Sequence, residues 1–219
     1  MKADLHVHSV HSTGDGKQTV AEILNECRLK NIGAVALTDH NEIGAWADAE
    51  DVTDIIIVRG IEVTTTEGHI LAYGVNQNIP RNLPIKETVE LIHAAGGIAV
   101  AAHPYRWWSG IGGKNVKDMG FDAVETINGR SSPGSNTRAH WLAKKLDLPM
   151  TGGSDAHTSP SVGRTYTIIP DSCQSEKDII NAILNRQTEP SGEHRNPRAA
   201  FKYVSINILR WMRRGFKKM

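Results

Sequence analysis

Eight short runs rich in apolar and β-branched residues recur along this chain, at 3–7, 34–38, 55–59, 69–74, 98–102, 122–127, 148–152 and 164–169. Most of them carry a histidine or a carboxylate at one end. Helical patterns alternate with these runs. Thr19-Val20-Ala21-Glu22 reads as a capping box opening a helix through Ile23, Leu24 and Cys27 that stops near Gly33. Further helix signals lie at about 41–50, 84–95, 134–147 and 175–187. Such alternation is the mark of βα units around a parallel sheet, and the number of strands favours an α/β barrel over an open sheet. In either architecture reactive groups gather at the C-terminal ends of the strands.

The polar residues at the strand edges are therefore the candidates for chemistry. In Asp4-Leu5-His6-Val7-His8 the two histidines are two apart, so on a strand they point the same way, opposite Ala3, Leu5 and Val7. Alone, such a pair fits an exposed edge strand as well as a metal chelate. It is not alone. His40 follows the second strand in Thr38-Asp39-His40, Glu62 lies just beyond the third, His69 opens the fourth, His103 ends the fifth, and Asp155 and His157 follow the seventh. Asp15, in the Gly14-Asp15-Gly16 turn, lies close behind the first strand. His69 fits least well, because it begins its strand instead of closing it.

Six of the ten histidines occupy strand-edge places, which argues against a scatter of ordinary core and surface histidines. Nitrogen and carboxylate ligation without cysteine suits zinc, manganese or iron. The nine candidates exceed what one catalytic ion takes, since a zinc of that kind uses about three protein ligands, so two or three ions are expected. Asp39 is expected to orient a neighbouring histidine instead of binding metal. His93, His140 and His194 fall outside the pattern and are expected to be structural or solvent-facing.

Composition limits the alternatives. Cys27 and Cys173 are too few for a disulfide framework or a thiolate zinc site. No run approaches the roughly 20 apolar residues of a membrane span, and the opening residues lack the apolar stretch of a signal peptide. A cytoplasmic setting is expected. Residues 195–219 hold eight of the 25 lysines and arginines and no acid, which leaves a net charge of −7 on residues 1–194. Phe201, Val204, Ile208, Trp211 or Met212, and Phe216 recur there at helical spacing. Two units follow: a body at 1–194 and a basic amphipathic C-terminal helix at 195–219, suited to docking on the body, a second subunit, nucleic acid or an anionic surface.

Asp4-Leu5-His6-Val7-His8-Ser9, Thr38-Asp39-His40-Asn41, Gly60-Ile61-Glu62-Val63, Gly68-His69-Ile70-Leu71, Ala102-His103-Pro104 and Gly153-Ser154-Asp155-Ala156-His157 together resemble the ordered motifs of the PHP (polymerase and histidinol phosphatase) domain family. The resemblance implies a distorted (β/α)7 barrel with a metal site at the C-terminal strand ends, up to three ions and phosphate ester hydrolysis. It implies one ion on His6, His8, Glu62 and Asp155, a second on Glu62, His69 and His103, and a third on Asp15, His40 and His157. Family members supply either His or Asp after the first motif. Asp15 is preferred here, because its flanking glycines allow a tight turn, and His11 is placed on the rim.

A metal-shared hydroxide would attack phosphorus in line. Asp155 is expected to orient it, with His157 or His69 assisting the leaving group. Arg106, Arg130 and Arg164 are the candidate phosphate-binding forks, and Tyr105, Trp107 and Trp108 could stack a nucleotide base. The expected substrate is a phosphomonoester or phosphodiester in a small metabolite, a nucleotide or a nucleic acid end. The alternatives are a C–N hydrolase of the amidohydrolase type and a non-catalytic metal-binding module.

Overall fold

The computed structural model describes residues 1–12 and 14–193. The basic segment 195–219 and His194 lie outside the described residues. The fold is an α/β barrel of the distorted (β/α)7 type. Its strands are β1 (Lys2–Val7), β2 (Ala34–Leu37), β3 (Ile56–Thr64), β4 (His69–Tyr73), β5 (Ile98–Ala101), β6 (Ala123–Asn128) and β7 (Met150–Gly153). An antiparallel pair, β8 (Thr165–Ile168) and β9 (Glu189–Gly192), is added at β1. The helices are α1 (Val20–Leu29), α2 (Ile85–Ala94), α3 (Pro133–Leu146) and α4 (Glu176–Leu184). Among the described residues no helix is long and apolar enough to cross a membrane.

Local chemistry sets the helix ends. Thr19 and Glu22 form the full capping box of α1, and Ser132 and Ser175 cap α3 and α4 by accepting from the backbone N–H three residues on. The helix expected at 41–50 is instead a 3-10 turn, Gly44–Ala49, with no side-chain cap and Asn41 at positive φ just before it. The unanticipated β9 has the sequence Glu-Pro-Ser-Gly, which carries no apolar alternation. It is an edge strand, where proline is tolerated.

The sheet departs from the all-parallel expectation at β4 and again at β8, which runs antiparallel to β1 and β9. β1, β2 and β3 run parallel, as do β5, β6 and β7, but β4 is antiparallel to both β3 and β5. β3 runs on through Glu62 to Thr64, past the expected end at 59, and Thr64 pairs with His69 at the start of β4. The first residue of β4 therefore lies at the rim where the other strands end. This reversal explains why His69 opens its strand.

The barrel closes between β1 and β7 in two stages. Near the base, β8 pairs with β1, and Thr167 of β8 exchanges hydrogen bonds of 2.8 Å with the backbone of Gly152. Near the rim, β1 meets the continuation of β7 directly: the N–H of Asp155 donates to His6 O at 2.7 Å, and the N–H of His8 donates to Ala156 O at 2.9 Å. The buried Asp4 carboxylate ties this seam, accepting from the N–H groups of Ser154 (2.8 Å) and Gly163 (2.7 Å). Burial pushes its pKa up to about 6 in spite of those donors.

A register shift between Asp4 and Val7 alters the expected faces of β1. Val7 packs with Ile23 and Leu24 of α1, whereas Ala3 and Leu5 join Val58, Leu71, Tyr73 and Val100 in a cluster sealed by Ile179 and Ile183 of α4. Ala3, Leu5 and Val7 thus do not share one face, because the bulge breaks strict alternation. A third cluster covers the other flank, with Ile70, Val124, Val89 and Leu142 between the sheet and α2 and α3.

Gly153 is required at the seam, since a Cβ there would lie 2.4 Å from His6 Cβ and 2.6 Å from His6 N. Backbone cannot yield as a side chain can. Gly153→Ala is expected to lower stability by about 1–3 kcal/mol, measured by urea denaturation, whereas the open Gly134 should tolerate alanine.

Candidate metal centre

Glu62 is 1% exposed, and five imidazoles surround its carboxylate. His6 Nε2 (3.2 Å), His8 Nε2 (3.1 Å) and His40 Nδ1 (3.3 Å) approach Oε2, while His69 Nδ1 (2.7 Å) and His103 Nε2 (2.9 Å) approach Oε1. An ionised carboxylate has about four lone-pair sites, too few to satisfy five ring nitrogens. Among the described residues, His40 Nδ1 and His103 Nδ1 are buried without a hydrogen-bond partner. Such an excess of nitrogen lone pairs around one carboxylate is the donor chemistry of a divalent-cation site, and the residues fit such a group.

The remaining expected ligands adjoin this core. Asp155 Oδ1 lies 3.6 Å from His8 Nε2 and 3.4 Å from His157 Nδ1. Asp15 Oδ2 lies 2.7 Å from His157 Nε2 and 3.6 Å from His40 Nε2. Among the described residues, four triads have ligand atoms within 4.8 Å of one another: His6, His8 and Asp155; His6, Glu62 and His103; His40, Glu62 and His69; and His8, His40 and His157. All nine residues picked from the strand edges meet at one rim. His11 does not join them, since its Nε2 pairs with Asp48 at 2.8 Å. His93 pairs with Asp122, and His140 stands edge-on to Trp141 on α3.

Electrostatics follow from this packing. Burial would raise the pKa of Glu62, but His40, His69 and His6 outweigh it and hold the carboxyl well below its usual range. Burial likewise opposes ionisation of Asp155, and Arg106 and Arg130 override it. Burial lowers His8 and His103, whereas Glu125, Asp155 and Glu62 lift His6 well above its ordinary value against burial. Two residues of the site carry backbone strain: His103 at φ 29° and Asp155 at φ 53°, both in the left-handed region. Each is anchored by its own N–H, His103 to Glu125 Oε2 at 2.8 Å and Asp155 to His6 O at 2.7 Å.

The expected arginines divide. Arg106 Nη1 lies 2.5 Å from Asp155 Oδ2. Arg130 Nη1 lies 3.2 Å from Asp155 Oδ1 and within 2.8 Å of both ring nitrogens of His157. Arg164 does not reach the site; its guanidinium is 62% exposed and lies 3.9 Å from Glu193. The end of a strand predicts height on the barrel, not which way a long side chain turns. Trp107 and Trp108 stack on each other at 5.7 Å and are 80% and 48% exposed.

Asp39 also corrects the sequence reading. It accepts from the Ser9 N–H (2.6 Å) and hydroxyl (2.7 Å), so it holds the loop after β1 and no imidazole. The carboxylate that orients a histidine is Glu125 on β6, 1% exposed, whose Oε1 lies 2.9 Å from His6 Nδ1. An ionised carboxylate only accepts, so His6 carries its proton on Nδ1 and turns the Nε2 lone pair inward. Asn128 Nδ2 lies 3.1 Å from both Glu125 and Asp155 and links the two. The signal in the sequence is a lone glutamate inside an apolar strand, Ala123-Val124-Glu125-Thr126-Ile127.

Comparisons with known proteins bear on the family and the fold. The PHP domain profile matches residues 4–106, and a PHP-associated profile matches 133–188. An uncharacterised protein of Methanocaldococcus jannaschii is 38% identical over 141 residues, which cover 58% of this chain and 82% of that one. Among solved structures, a two-domain protein of Bacteroides vulgatus containing a predicted PHP-like metal-dependent phosphoesterase superposes with a TM-score of 0.71 at 22% identity, over 88% of this chain and 65% of that one. Endonuclease Q bound to a 27-mer duplex superposes with a TM-score of 0.70 at 17% identity, over 88% of this chain and 60% of that one.

Glu125→Gln is expected to weaken divalent-metal affinity 10- to 100-fold, read by competition with a chromogenic chelator. Asp15→Ala should lower the number of ions bound per chain, measured by elemental analysis, while His11→Ala should leave it unchanged.

Proposed function

This chain belongs to the PHP family, whose relatives are metal-dependent phosphoesterases, and from that premise we propose that it hydrolyses phosphate esters at the Glu62 centre. The supporting observation is the coexistence at one rim of a nine-residue nitrogen and carboxylate donor set with two arginines, Arg106 and Arg130. Paired guanidinium groups suit the equatorial oxygens of a phosphate, which accept from them in a bidentate fashion. The hydrolytic unit is assigned to residues 1–194.

His6, His8, Asp15, His40, Glu62, His69, His103, Asp155 and His157 are the proposed ligands of two or three divalent ions. Zinc, manganese or iron suits their donor chemistry. When bound, such ions would act as Lewis acids on the phosphoryl group and activate the attacking water. Asp155 has the better placement for orienting that water, being buried yet held ionised between Arg106 and Arg130. Both arginines would exchange part of their contact with Asp155 for phosphate oxygens, orienting the ester and offsetting its charge. His157 and His69 are 11% and 19% exposed, so whichever ring keeps a nitrogen free of metal can pass a proton to a leaving oxygen at the open edge. Glu125 keeps His6 in one tautomer and takes no part in proton transfer.

A panel of p-nitrophenyl phosphomonoesters and phosphodiesters, assayed with added Mn2+ or Zn2+ and with chelator, tests this reading. Turnover should require metal and fall at least 100-fold in Asp155→Asn. Arg106→Ala should raise KM about 10-fold or more, the loss of one charge-assisted hydrogen bond of about 1.5–3 kcal/mol. Turnover of amides but not phosphoesters by the metal-loaded protein would transfer it to the other reaction class.

A further inference from the structure

Beside the metal centre runs a groove of about 590 Å³ whose walls are α3 and the segment from Tyr105 to Lys117. Its lining includes Lys114, Lys117, Arg138 and Lys145, with Tyr105 and Trp141 between them and no carboxylate. Among the described residues, Lys114, Arg138 and Lys145 pair with no acid; Lys117 lies 3.8 Å from Asp118. Arg138 stacks its guanidinium 4.1 Å over the Tyr105 ring. Trp141 is 63% exposed and has Lys144 Nζ 5.7 Å from its ring centroid, which leaves ring surface open in the groove.

The position of the groove is as informative as its lining. Its two walls are the same two elements that deliver arginines to the site: Tyr105 precedes Arg106, and α3 begins two residues after Arg130 and its neighbour Ser131. A hydrogen bond of 3.1 Å from Ser135 Oγ to Tyr105 O fastens the walls together at that end. From Ser132 to Lys145 the helix rises roughly 20 Å. Arg138 and Lys145 therefore lie progressively farther along α3 from the end that adjoins Arg130.

We propose that this groove is a binding subsite for single-stranded nucleic acid, holding the strand that continues from the phosphate at the metal centre. The proposal rests on the phosphoesterase reading above and narrows its substrate to a polynucleotide. Repeating phosphates match a row of unpaired cations, and an exposed tryptophan offers a face for stacking that only an unpaired base can use. A small phosphorylated metabolite would need none of this surface.

The test uses the full chain and the triple variant Lys114→Glu/Arg138→Glu/Lys145→Glu, with Trp141→Ala as a second variant that leaves charge unchanged. Binding of a fluorescein-labelled single-stranded 12-mer is followed by anisotropy over a range of salt concentrations, and turnover of bis-p-nitrophenyl phosphate is measured in parallel. The triple variant should bind at least tenfold more weakly, with the slope of log affinity against log salt reduced by about 2. Trp141→Ala should bind severalfold more weakly at an unchanged slope. Small-ester turnover should stay at the wild-type level in both. Unchanged 12-mer affinity in both variants overturns the subsite, as does tighter wild-type binding to an acidic peptide or anionic vesicles than to the 12-mer. Absence of small-ester turnover in the wild type overturns the phosphoesterase reading instead, so the two failures are distinct.

Discussion

A buried carboxylate ringed by imidazoles sets the conditions for everything else in this barrel. Taking a charged Glu62 out of water costs several kcal/mol, and the surrounding side chains must offset that cost. The rings come from the end of β1, the turn after β2, the start of β4 and the end of β5, so only a sheet curled back on itself can bring all five within 3.3 Å of one group. The same crowding leaves nitrogen lone pairs that hydrogen bonding within the protein cannot use. Stability and cation binding are thereby linked in one cluster.

Holding that cluster takes a rigid frame. The β1–β7 seam, made of backbone hydrogen bonds and the Asp4 carboxylate, sets the distance between His6 and Asp155. Gly153 permits the close approach, and the register shift in β1 sends Leu5 and Val7 into different apolar clusters. Two site residues adopt left-handed backbone, a local cost of about 1–3 kcal/mol each, and each is restrained by its own N–H bond. Glu125 and Asn128 then fix His6 and Asp155 from behind.

On the open side, the rim loop and α3 combine two tasks. They carry Arg106 and Arg130 to the centre and, further along, expose a row of cations and aromatic faces. A charged ester would thus meet the same pair of elements at its reacting phosphate and along whatever follows it. The two exposed tryptophans of the rim loop, stacked on each other, lie beside this entrance.

Much of the centre was readable one residue at a time. His6, His8, His40, Glu62, His103, Asp155 and His157 stand out because histidines and acids at the edges of apolar runs have few structural reasons to be there, and strand ends share one rim of a barrel. The capping box of α1 was legible for the same reason: it is local. What the sequence could not supply is direction. The reversal of β4 that explains His69, the choice of Asp15 over His11, the outward turn of Arg164, and the exchange of roles between Asp39 and Glu125 all depend on which distant segments meet. Hydrogen-bond partners more than 100 residues apart, such as His6 and Glu125, leave no spacing in a linear chain. Residue types determined the chemistry available, while the closed sheet alone decided which groups share a point in space.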